Sequence, residues 1–161
     1  MATPTTQGSD APTTGTSPGA ATVAGAVHRV RIPLRISDFV GMHVNNVRFH
    51  EFSQDARLMW FREKFGVPGS RVPSALARWM EIDFRRTIAM GVPEVWVDVQ
   101  VVRVGRTSFT MRTSIGSEST GAEPCAVVDT VMVVTADDET TTLEITPVER
   151  AALLGDREEA G

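Results

Sequence analysis

Residues 46–65 carry apolar side chains on more than one helical stripe, and that run limits what the chain can become. Phe49, Phe52, Ala56, Met59 and Trp60 step by three or four along one face, while Leu58, Phe61 and Phe65 form a second stripe. A helix apolar around so much of its circumference is buried rather than laid on a surface. Asn45 or Asn46 supplies N-cap chemistry, and Gly66 supplies a stop. Whatever surrounds this helix must cover it on several sides.

The remaining chain offers strands for that purpose. Val27 to Ile36 alternates loosely, with Pro33 marking an edge or a bulge. Leu76 to Thr87 sets Met80, Ile82 and Phe84 against Glu81, Asp83 and Arg85. Glu94 to Arg103 places Val95, Val97, Val99 and Val101 on one face. Thr107 to Ser117 and Pro124 to Thr135 follow, separated by turns at Gly105-Arg106 and Gly121. Turns this short make neighbouring strands antiparallel. Pro147 to Leu154 reads as a short terminal helix with Thr146 as its cap. The expectation is an α+β fold in which about five antiparallel strands wrap one long helix. Val128, Thr130, Met132 and Val134 lie in a strand apolar on both faces, which points to cover by another subunit.

The first 25 of the 161 residues hold seven Thr, five Ala, four Gly and three Pro, with no Lys or Arg. Such a segment buries too little apolar surface to offset its chain entropy and is expected to be a disordered arm. The folded domain is expected over residues 26–155, with a flexible tail over 156–161. A formal net charge of −4 with no basic tail argues against nucleic acid as the partner. No apolar run approaches a membrane span. The N-terminus has neither the basic and apolar regions of a secretory signal nor the Arg of a transit peptide, so a reducing cytoplasm is expected. The single Cys125, in an apolar strand-like run, reads as a core thiol.

Several chemistries have no motif here. There is no Gly-rich phosphate loop, no GxSxG elbow, no HExxH, and no His–carboxylate spacing of a metal site among His28, His43 and His50. What remains is Asp38 to Asn46, with one carboxylate, one Gly, one His and two Asn immediately before the helix. A helix N-terminus presents unsatisfied N–H groups and positive potential, which stabilise a carbonyl oxygen that gains charge. A nearby carboxylate could reach that carbonyl or a water beside it. The same residues also read as a turn cap, a packed imidazole and helix caps.

The run Asp38-Phe39-Val40-Gly41-Met42-His43-Val44-Asn45-Asn46-Val47-Arg48-Phe49, with Phe52 and Ala56-Arg57, resembles the motif of the hotdog-fold acyl-CoA thioesterases, in the 4-hydroxybenzoyl-CoA thioesterase-like branch. Ile82 to Arg86, Val102 to Phe109 and Ile145-Thr146-Pro147 resemble that family's later elements, so the likeness spans about residues 27 to 154. Met42 is inserted between Gly and His, and Phe49 stands where the family has Tyr.

The resemblance implies a hotdog fold, a homodimer or homotetramer with sites between subunits, and hydrolysis of an acyl-CoA thioester to free acid and CoA. Coenzyme A would enter only as part of the substrate, with no metal or other cofactor. Asp38 would attack or activate water, with His43, Asn45 and Asn46 completing the catalytic group and His43 orienting the loop. The helix residue Glu51 is a reserve carboxylate. Gly41, Val44 and Phe49 would contact substrate, while Arg103, Arg106 and Ser108 at a strand turn would hold CoA phosphates. Arg85 and Arg86 are further phosphate candidates. Arg57 is expected to pair with a carboxylate, and Phe52, Trp60 and Trp79 to pack. The alternative is a module that binds acyl-CoA or acyl carrier protein without hydrolysing it.

Overall fold

The computed structural model describes residues 21–22, 25–65 and 74–155. The arm expected over 1–25 falls mostly outside them, as do the Gly66 stop, most of the following loop and the 156–161 tail.

The expected helix is α1, Asn46–Phe65, and around it lies one antiparallel sheet. Its strands are β1 (Ala21–Thr22), β2 (His28–Pro33), β5 (Ser74–Phe84), β6 (Glu94–Val104), β7 (Ser108–Gly116) and β8 (Ala126–Thr135). Two short strands between β2 and α1, β3 (Phe39–Val40) and β4 (His43–Val44), pair with each other apart from this sheet. β1 and β2 both pair with β6, and the order continues β7, β8, β5. The last residues of the arm thus pair with the sheet, Ala21 opposite Val104 and Thr22 opposite Arg103. A terminal helix α2, Pro147–Leu154, carries the expected capping box between Thr146 and Glu149.

Alternation decides which face meets the helix. Val95, Val97, Val99 and Val101 of β6 turn inward, as do Phe109, Met111 and Ile115 of β7 and Val128, Met132 and Val134 of β8. They enclose Phe49, Phe52, Ala56, Trp60 and Phe65 of α1. Cys125 joins that core, as expected.

The outer face is polar where the inner one is apolar. Arg29 pairs with Asp98 and Arg112 with Asp129 through bidentate contacts of 2.6–2.8 Å. Trp96 faces outward yet is buried, because Arg29 lies over its ring and Gly116 lies flat beneath it. A Cβ on Gly116 would stand 2.2 Å from the indole.

β5 is an edge strand, with a bulge between Ala77 and Trp79 that changes which residues face α1. Ala77 faces the helix before the bulge and Met80 after it. Trp79, expected to pack, is instead 48% exposed, and Leu76 and Phe84 are similarly open.

Candidate active site

The stretch between β2 and α1, a loop by composition, is a small folded unit. Ile36–Asp38 makes a 3-10 turn, after which β3 pairs with β4 around a two-residue tip. Gly41 takes φ 61° at the first tip position, where hairpins of this length require glycine. The inserted Met42 is the second tip residue and is exposed. His43 is exposed and its backbone bridges that of Ala89.

Asp38 is the hub of this unit and is 1% exposed. Its Oδ2 accepts the Arg35 N–H at 2.8 Å, and its Oδ1 lies 2.9 Å from Arg48 Nε. Its backbone carbonyl accepts the Asn45 N–H at 2.9 Å. Arg48 also pairs with Glu51 and covers the Phe52 ring. Oδ1 and Arg48 Nε are both buried and, close as they are, neither makes a hydrogen bond. The carboxylate ties the hairpin to α1 through charge.

The donors at the head of α1 can be accounted for one by one. Val44 N–H donates to Ile88 O at 2.9 Å, and Asn45 N–H to Asp38 O. Val47 N–H donates to Asn45 Oδ1 at 3.1 Å, so Asn45 serves as the cap. Arg48 N–H donates to Asn45 O. The Asn46 N–H alone in this turn has no acceptor among the described residues. That donor sits at the positive end of a 20-residue helix.

Asn46 is exposed and lines a cavity of about 320 Å³ together with Val44, Phe49, Phe84, Arg85, Arg86 and Thr87. Phe49 is buried and meets Phe84 edge-on at 5.5 Å, so its ring closes the floor without a hydroxyl. The Arg85 and Arg86 N–H groups donate to Cys125 O, which fixes their backbone, while their side chains pair with Asp83 and Glu123. His50, one helical turn beyond Asn46 on the same flank, is exposed; its Nδ1 meets Met80 Sδ at 3.1 Å. Sequence reasoning missed His50. The signal was its four-residue step from Asn46.

Arg103, Arg106 and Ser108 are not at this site. The chain leaves α1 at Phe65 and returns along β5, so β6 starts near the head of the helix and ends near its tail. Their turn lies at the tail, where Phe61 meets Phe109 at 5.8 Å. The helix is roughly 30 Å long, at 1.5 Å of rise per residue. Arg106 pairs with Glu144, and Arg150 donates to the carbonyls of Val104 and Gly105. Arg57 is also not as expected: its Nη1 donates to Ser53 Oγ at 2.6 Å and Thr130 Oγ1 at 3.0 Å, with no carboxylate. Among the described residues no group of three His, Cys, Asp or Glu could hold a metal ion, and no helix is long and apolar enough to cross a membrane.

Known proteins share this architecture. A predicted thioesterase of Bacillus stearothermophilus is 24% identical, with a TM-score of 0.69 over 84% of this chain and 100% of its own. A thioesterase of Thermus thermophilus, solved with coenzyme A and zinc, is 26% identical with a TM-score of 0.62, covering 78% and 90%. A 4-hydroxybenzoyl-CoA thioesterase variant, solved with 4-hydroxybenzoyl-CoA, is 14% identical with a TM-score of 0.66, covering 79% and 98%. The fold is the hotdog fold, as the resemblance implied. No curated protein sequence matches the chain. The family model described as the thioesterase-like superfamily matches residues 34–153, and the chain belongs to that superfamily.

Proposed function

We propose that this chain hydrolyses an acyl-CoA thioester and that the head of α1 polarises the reacting carbonyl. Membership of the thioesterase-like superfamily supports thioester hydrolysis. The observation that carries the finer reading is an Asn46 N–H with no acceptor among the described residues, on a residue that lines a cavity with Arg85 and Arg86. A thioester oxygen placed on that N–H gains charge as the carbonyl is attacked, and the donor and helix dipole stabilise it.

Water is the nucleophile. Its oxygen bonds to the carbonyl carbon and its proton passes to His50, whose Nε2 faces away from Met80. The tetrahedral intermediate then collapses, the C–S bond breaks, and CoA leaves as thiolate to recover a proton. Asp38 acts at a distance by fixing Asn45, and so the angle at which Asn46 enters the helix. Arg85 and Arg86 take CoA phosphates in the role first expected of Arg103 and Arg106. A second copy covers the open β5 edge, where Leu76 and Trp79 are exposed.

Release of CoA from a panel of acyl-CoAs, followed against pH, tests the reading. The kcat profile is expected to fall on the acid side, where the base that takes the water proton is itself protonated. The His50→Gln protein is expected to lose roughly 10²-fold or more in kcat. Tight binding of acyl-CoA with no release would make the protein a binding module. An acid limb near pH 4 that survives in His50→Gln would return the base to a carboxylate.

A further inference from the structure

Among the described residues Arg57 is the only buried arginine, at 5% exposure. Its partners Ser53 and Thr130 are neutral, and Ser53 Oγ in turn shares a 2.7 Å bond with Thr113 Oγ1. Removing a guanidinium from water costs several kcal/mol unless an anion faces it. Burial accordingly pulls Arg57 below the usual arginine value, with no carboxylate opposing the shift.

This side chain lines a cavity of about 280 Å³ between α1 and the β5–β8 pair, with Gln54, Leu58, Phe61, Ala75, Ala77 and Met132. Walls that are apolar apart from one cation and one amide match a ligand that is hydrocarbon along its length and anionic at its end. The cavity lies on the same α1–β5 seam as the one at Asn46. Arg57 reaches back one turn to Ser53, so its guanidinium sits at the level of residue 53. The offset from Asn46 is roughly 10 Å along the axis. An extended chain advances roughly 1.2 Å per bond, so about eight bonds span that distance. The His50–Met80 contact lies between the two cavities, and the unbranched Met80 side chain is the wall that turns aside.

We propose that Arg57 receives a carboxylate at the far end of the acyl group, so that the substrates are CoA thioesters of unbranched dicarboxylic acids. This deepens the hydrolase reading and rests on it.

The test compares adipoyl- and suberoyl-CoA with hexanoyl- and octanoyl-CoA, using the full chain. Wild type is expected to favour the carboxylated member of each pair about tenfold to a hundredfold in kcat/KM, the range for a hydrogen bond to a charged group. In Arg57→Met the ratio should fall to one or below, and Arg57→Lys should keep part of it. A wild-type ratio near or below one overturns the inference and leaves the hydrolase reading standing. Failure to hydrolyse all four overturns the hydrolase reading instead. Free suberate then decides for Arg57 separately: a raised Tm in wild type that is lost in Arg57→Met supports the site, and no shift in wild type overturns it. Should Arg57→Met fail to fold, the wild-type ratio and Arg57→Lys still decide.

Discussion

At its head, α1 meets a hairpin, two arginines and an open cavity, and leaves one N–H without an acceptor among the described residues. At its tail the same helix is closed by rings. Trp60 meets Phe61 at 5.2 Å, Phe61 stacks on Phe65 at 5.7 Å, and Phe109 seals the group from the sheet. The tail satisfies the hydrophobic requirement that makes the helix central. On the proposed reading, the head keeps part of its hydrogen-bonding capacity for a ligand. Substitutions at the tail should therefore act on stability, and substitutions at the head on turnover.

The largest effect on stability is expected at the tail. Phe109→Ala removes a buried ring and should cost about 3–5 kcal/mol in denaturant unfolding, with kcat of the folded fraction unaltered. A large fall in kcat without loss of stability would erase the division between the ends. At the head, Asp38→Asn weakens the contacts to Arg35 and Arg48 and should cost about 1.5–3 kcal/mol. Turnover should fall with it, while the midpoint of the kcat–pH profile stays in place if, as proposed, Asp38 acts only by fixing Asn45. A midpoint that moves would make it the base after all. Smaller still is the arginine contrast. Arg85→Ala with Arg86→Ala should raise KM for CoA thioesters roughly tenfold, the loss of about one charge-assisted contact, and spare short thioesters that lack the nucleotide. Arg106→Ala should leave both within about twofold, since exposed ion pairs contribute roughly 0–1 kcal/mol. The opposite ranking would put the nucleotide at the tail.

The two ends were not equally legible. The bounds of α1 and α2 agree with the sequence reading because apolar periodicity, Asn45, Thr146 and Pro147 are local signals. The inward valines of β6 followed from alternation alone. The hairpin before α1 did not, because strands of two residues have no period to detect; only Gly41 marked it. The distance of Arg103 and Arg106 from the head of α1 could have been reckoned beforehand. Counting strand reversals from the exit of the helix puts the β6–β7 turn at its tail and Arg85-Arg86 at its head. The partners of Arg57 were beyond reach, since Thr130 lies 73 residues away and nothing local announces that a hydroxyl stands where a carboxylate was expected. The burial of Asp38 was hidden for the same reason: Arg48 closes on it only once the hairpin has formed.

One substitution isolates the donor at the head of the helix. Proline is favoured at the first helical position, where its missing N–H breaks no intrahelical bond, so Asn46→Pro deletes the N–H and keeps the helix. Asn46→Ala removes the side chain and keeps the N–H. Steady-state hydrolysis should show kcat lowered about 10²–10³-fold in Asn46→Pro, the usual cost of losing one oxyanion donor, at unchanged Tm and with Asn46→Ala close to wild type. Wild-type turnover by a folded Asn46→Pro protein would mean that the thioester oxygen rests somewhere other than the head of α1.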